Sequence, residues 1–239
     1  MKKLFLSFVT LLSLAVFAQE NTVINDANAK KRTLGGSFTG IIVSDGVDLY
    51  LTQGNEESVA VSASEEKYME RFKTEVENGV LKIYYDYKGI NWSANEKRKL
   101  KAYVSFKTLE KLQASGGAGV KAQGSFTVAG LEMKFTSGSS FNGKIVAMEL
   151  MVDQNSGSSI AINGNAGKLN VDVSSGAIFK GFDFAVDYCD AKASSGGGVR
   201  VTINKELNAK AGSGGGVRYK GEGVIKEINV NSGGSVKKT

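Results

Sequence analysis

The sequence predicts an all-β fold, a β-solenoid of the right-handed parallel β-helix type. About seven C-terminal coils follow an N-terminal β-rich part that carries one short helix. Three observations predict it. A glycine phrase recurs from Leu109 onward: ASGGAGV, TSGSSF, NSGSSI, SSGAIF, SSGGGV, GSGGGV, NSGGSV. With Gly116, Ser137, Ser156, Ser175, Ser195, Ser213 and Ser232 as reference positions, the steps are 21, 19, 19, 20, 18 and 19 residues. A near-constant period of this length signals stacked coils. The second observation is apolar columns. Four residues before the reference stand Leu112, Met133, Val152, Val171, Ala191, Ala209 and Ile228, and four after it stand Val120, Phe141, Ile160, Phe179, Val199, Val217 and Val236. The third is alternation. Gln113, Lys134, Asp153, Asp172, Lys192, Lys210 and Asn229 are polar between neighbours that are apolar except for Gln154, the period-two signature of a half-buried strand.

Six residues before the reference, Cys189 shares a column with Leu131, Leu150, Leu169 and Leu207, broken only by Glu110 and Lys226 in the end copies. Cys189 therefore reads as a core thiol, and as the one cysteine it forms no intrachain disulfide. The glycine clusters are not phosphate loops. VRVTIN after Gly198 is strand-like, whereas a phosphate loop leads into a helix.

The ends and the first half follow. Lys2 and Lys3, then the apolar run Leu4 to Ala18, read as a signal peptide (1–18), which makes the protein exported to the periplasm, outer-membrane surface or extracellular space. No cysteine follows the run closely, so no lipid anchor is expected. Residues 19–37 are expected to be a flexible N-terminal segment, 38–108 the β-rich part and 109–239 the repeats. FTGIIVSDGVDLYLTQG reads as two strands around Ser44-Asp45-Gly46, an early copy of the corner. Ser64 to Phe72 is the predicted short helix, with a cap and early acids. Asn78-Gly79 marks a hairpin.

Composition limits function. There is no histidine, which removes the Ser-His-Asp triad, the Cys-His pair and histidine metal sites. No cofactor, metal or catalytic residue is predicted. A net charge of +6, falling to +4 without Lys2 and Lys3, does not indicate a nucleic-acid binder.

Four stretches carry a resemblance: FTGIIVSDGVDLYLTQGNEESVAVSA, ENGVLKIYY, LKAYVSFKTLEKLQASGGAGV and the serial S-G-G and S-G-S phrases. With them the chain resembles the exported, mostly Bacteroidetes head GIN domain family, which carries the auto-transporter adhesin name by analogy. The resemblance spans Phe38 to Val236. It implies β-helical architecture and an envelope or surface location, and it brings no catalytic residues.

Three candidate sites emerge. Five residues after the reference stand Lys121, Asn142, Ala161, Lys180, Arg200, Arg218 and Lys237, a basic stripe suited to an anionic polysaccharide or envelope surface, or else a solvated face. Tyr84, Tyr85, Tyr87 and Trp92 are an aromatic platform or simple hairpin packing. Asp153, Asp172, Asp183, Asp187 and Asp190 are the carboxylates a carbohydrate-active β-helix enzyme would need. The run Glu96 to Lys101 reads as a solvated loop. The leading expectation is a non-enzymatic binding or adhesion surface. The alternatives are a polysaccharide lyase or hydrolase and a structural envelope protein or homo-oligomer.

Overall fold

The computed structural model describes residues 26–89 and 97–239. The predicted signal peptide, Trp92 and Glu96 lie outside them. Among the described residues, sixteen strands form one continuous sheet that winds into a β-solenoid.

The repeat region is built from long bent strands: β9 (Gly119–Phe135), β10 (Ser140–Gln154), β11 (Ser159–Val173), β12 (Ile178–Ala193) and β13 (Gly198–Ala211). Each pairs in parallel with the next, and the predicted columns are the observed registers: Phe141↔Ile160, Ile160↔Phe179, Phe179↔Val199 and Val152↔Val171. Buried and exposed residues alternate until two successive residues face outward, as at Met148-Glu149 and Gly167-Lys168, where the strand turns from one face of the coil to the other. The final coil is β14 (Gly216–Lys220), β15 (Val224–Val230) and β16 (Ser235–Lys238).

The phrase that announces the repeat is a tight turn. Ser137, Ser156, Ser175, Ser195, Ser213 and Ser232 have φ between 44° and 53°, and the glycine after each has φ between 71° and 74°. Positive φ at both central residues is the type I′ arrangement. Each turn is closed by its own hydrogen bond, such as Ser158 N–H to the Asn155 carbonyl at 3.2 Å. The turns also bond to each other: the Gly138, Gly157, Gly176 and Gly196 amides donate to the Ser156, Ser175, Ser195 and Ser213 carbonyls of the following coil at 3.0–3.1 Å. The corner is thus a hydrogen-bonded ladder of left-handed residues, which serines occupy as well as glycines.

The first half extends the solenoid out of chain order. Asp45 (φ 61°) and Gly46 (φ 70°) form the same turn, and the Gly46 amide donates to the Gly116 carbonyl at 2.9 Å. β2 (Gly40–Val43) lies between β6 (Val80–Tyr85) and β8 (Lys111–Ala114), parallel to both. β3 (Asp48–Gln53) lies in the same way between β7 (Lys101–Phe106) and β9. Antiparallel strands then cover this end: β5 (Phe72–Glu77) on β6, β4 (Ser58–Ser62) on β7, and β1 (Lys30–Arg32) on β4. At the other end Val224, Ile225, Ile228 and Val230 are 40–61% exposed.

Two expectations are corrected. Ser64 to Phe72 is not an α-helix; only Glu66–Tyr68 makes a 3₁₀ turn. Glu65 is extended (φ −143°), and the Ser64 hydroxyl donates to the Lys97 carbonyl at 2.8 Å instead of capping. Tyr68, Met69 and Phe72 are buried in the end of the core, and that packing outweighs a short helix with a costly nucleus. In the last coil Ile225, not Lys226, sits opposite Leu207. A bulge places Lys226 outside, where it meets Glu206 at 3.3 Å.

Part of the 19–37 segment is tied down through Asp26. Its carboxylate accepts from the Ser62 hydroxyl (2.7 Å), the Asn28 amide (3.0 Å) and the Tyr103 hydroxyl (3.2 Å). The Ser62 bond, foremost, holds the Asp26 carboxyl below the usual carboxylate range. A depressed folded pKa stabilises fully above the unfolded value of about 3.9, and the contribution disappears as pH falls through the folded value. Amide exchange at Lys30–Arg32, corrected for intrinsic rates, is therefore expected to be faster at about pH 2 than at about pH 6. Equal protection would show that Asp26 does not anchor β1.

Candidate functional site: a cationic column

The outward residues of the solenoid divide into two faces of different electrostatic character. On one, cations and carboxylates of neighbouring rungs pair, although Asp153 also stands opposite Asp172 and Lys192 opposite Lys210. Lys134 meets Asp153 at 3.5 Å, Lys192 meets Asp172 at 2.7 Å, and Lys168 meets Glu149 at 3.1 Å. Lys205 meets Asp187 at 2.6 Å. This local cancellation is what opposite charges one strand apart provide.

The other face lacks it. Lys180 is opposite Arg200, Arg200 opposite Arg218, and Arg218 opposite Lys237, so four cations stand on four successive rungs. All four are exposed, and none takes part in an ion pair among the described residues. Rungs are about 4.8 Å apart, so the row is compact and self-repelling. Two residues earlier on the same strands stand Ile178, Gly198, Gly216 and Ser235, which leave the basic side chains clear on that side. Toward the capped end the column runs through Ala161 and Asn142 to Lys121, whose ammonium lies 5.5 Å from the Tyr50 ring centre. Tyr50 stacks on Tyr103 at 5.1 Å. The sequence placed the column correctly, but its reading omitted Tyr50 and Tyr103, which precede the repeat and join it only through the out-of-order coil.

The aromatic set divides. Tyr85 is buried and packs edge-on to Tyr87 at 5.1 Å, with the Arg98 guanidinium 4.8 Å from the Tyr85 ring and 5.1 Å from the Tyr87 ring. Tyr84 faces the opposite side of β6, and its hydroxyl donates to Glu75 at 3.0 Å. These three tyrosines do not share one face.

Of the five carboxylates, Asp153 and Asp172 stand opposite each other on adjacent rungs, but each meets a lysine. Besides its lysine, Asp187 accepts from Asn204 at 3.1 Å, and Asp190 accepts from Asn208 at 2.7 Å. The bond from Lys205 holds the Asp187 carboxyl below its ordinary range, the reverse of what a general acid requires. The described residues contain no group of three or more acidic or cysteine side chains placed to hold a metal.

Cys189 is buried, 3% exposed, between Leu169 and Leu207. Burial pushes its thiol pKa up to about 12. The thiolate is the reactive form, so a disulfide reagent is expected to leave the native protein untouched and to react stoichiometrically in denaturant. Rapid labelling of the folded protein would contradict the core assignment.

No helix among the described residues is long and apolar enough to cross a membrane. No functionally curated protein matches the chain. Solved structures do resemble it. A "putative adhesin" from Bacteroides fragilis superposes with a TM-score of 0.79 at 15% identity, covering 88% of this chain and 96% of that one. A "putative adhesin" from Parabacteroides distasonis gives 0.62 at 20% identity, covering 88% and 96%. A "putative lipid binding protein" from the same species gives 0.64 at 20% identity, covering 90% and 98%. These likenesses establish the fold. The family model described as "Putative auto-transporter adhesin, head GIN domain" matches residues 37–223, and the chain belongs to that family.

Proposed function

We propose that the protein is an exported, non-enzymatic adhesion module whose binding surface is the cationic column, and whose ligand is an acidic glycan of the cell envelope. The observation that carries this reading is the unpaired row Lys180–Arg200–Arg218–Lys237 on a solenoid whose other face gives Lys134, Lys168, Lys192 and Lys205 each a carboxylate partner. A row of like charges destabilises the fold that bears it, and a polyanion would relieve that repulsion. Family membership supports the adhesion class. The basic first residues and apolar run before Gln19 support export.

The test is retention of the purified protein on immobilised acidic and neutral polysaccharides across a salt series. Retention on the acidic matrix alone, lost as salt rises, is the expected result. Equal retention on both matrices would overturn the reading.

A second reading, self-association, has its own observation in the exposed apolar edge of β15. Light scattering that finds only monomer at high protein concentration would remove it.

A further inference from the structure

Resting on the glycan-binding reading, the geometry of the column specifies the ligand more closely. We infer that the site takes a linear polyuronate, one carboxylate per sugar unit, lying parallel to the solenoid axis with four successive units on Lys180, Arg200, Arg218 and Lys237. Each strand contributes one cation to the row, so the row runs along the axis and across the strands. Its repeat is the rung spacing, about 4.8 Å. A pyranose unit in an extended chain is about as long as one rung is high, so one sugar unit falls on each rung, and the long arms of arginine and lysine follow carboxylates that the twist of the chain turns aside.

The side chains suit carboxylates. Arg200 and Arg218 occupy the two middle rungs, and a guanidinium fork binds a carboxylate through two parallel hydrogen bonds. Lys180 and Lys237 at the ends supply point charges. No acid stands in the column, and the preceding outward column (Ile178, Gly198, Gly216, Ser235) carries no charge. The row is bounded at Lys180, because the next rungs are Ala161 and Asn142, both neutral.

Other polyanions fit less well. Duplex nucleic acid places phosphates every 3.4 Å along each strand and winds them away from a straight row. Single strands bind where aromatic rings interleave with cations along the row, whereas one ring stands beside these four cations, the half-buried Phe182, with the Lys220 ammonium 5.4 Å from its centre. A lipid surface is bound by apolar insertion beside the charges, for which the flanks of the row offer Ile178 and the half-buried Phe182, both on the first of its four rungs.

The experiment is calorimetric titration with oligouronates shorter and longer than four units, with polyphosphate of matched charge, and with vesicles containing anionic lipid. Each added unit up to the fourth is expected to tighten binding by about tenfold, after which affinity levels off. In Lys237→Gln, an exposed end position, the levelling moves to three units; in Arg200→Gln all lengths weaken together. Failure of every polyanion to bind would defeat the glycan-binding reading itself. Binding without the four-unit step, or equal affinity for polyphosphate or vesicles, would leave that reading standing and overturn the polyuronate assignment.

Discussion

Reversing Arg200 and Arg218 together to glutamate will weaken binding to an acidic polysaccharide by about 100-fold at low salt. Each arginine offers a charged hydrogen bond to the ligand, worth about 1.5–3 kcal/mol. The two stand on adjacent rungs at the centre of the row. Net charge alone would also change binding, so the control is the same reversal on the balanced face, Lys192→Glu with Lys210→Glu. Those lysines pair with Asp172 at 2.7 Å and Glu227 at 3.9 Å. If the column is the site, the control retains most of the affinity. Equal losses would show that the ligand responds to overall charge. All four residues are exposed, and circular dichroism verifies that both variants fold.

The second large effect concerns the coil. Gly164 and Gly157 both have positive φ, 111° and 71°, but their surroundings differ. A Cβ on Gly157 meets nothing within 4 Å, whereas one on Gly164 falls 2.1 Å from the Ile145 carbonyl oxygen. Gly157→Ala should therefore cost only the left-handed backbone penalty, about 1–2 kcal/mol. Gly164→Ala adds a clash with backbone of the preceding coil, which no side-chain rotation relieves, and the total should exceed about 3 kcal/mol. Urea unfolding measures both. Equal destabilisation would mean that the coils are not packed as closely at Gly164 as the structure shows.

The repeat was legible because a step of 18 to 21 residues returns the chain to the same column one rung on, so sequence spacing maps directly onto register. That mapping located the cationic column and the burial of Cys189. It failed where the period is locally broken. At Lys226 a bulge shifts the inward position to Ile225, a displacement invisible to counting. The out-of-order coil was not legible either. The Asp45 turn stacks directly beneath Gly116, yet nothing in the sequence between them states that β6 and β7 lie beyond it. The misread helix at Ser64 shows local caps losing to the burial of Tyr68, Met69 and Phe72. The charges themselves were readable, but their pairing was not. Only the geometry separates Lys192, which reaches Asp172, from Lys180, which meets no carboxylate among the described residues.

The most direct test of the central claim is the salt dependence of affinity for an acidic polysaccharide, compared between wild type and a variant with Lys180, Arg200, Arg218 and Lys237 all changed to glutamine. Cations that contact a polyanion release counterions, so log affinity falls with log salt in proportion to the number of contacts. The wild type should show a steep negative slope and the variant a nearly flat one. The same slope in both would contradict the assignment of the binding surface to this column.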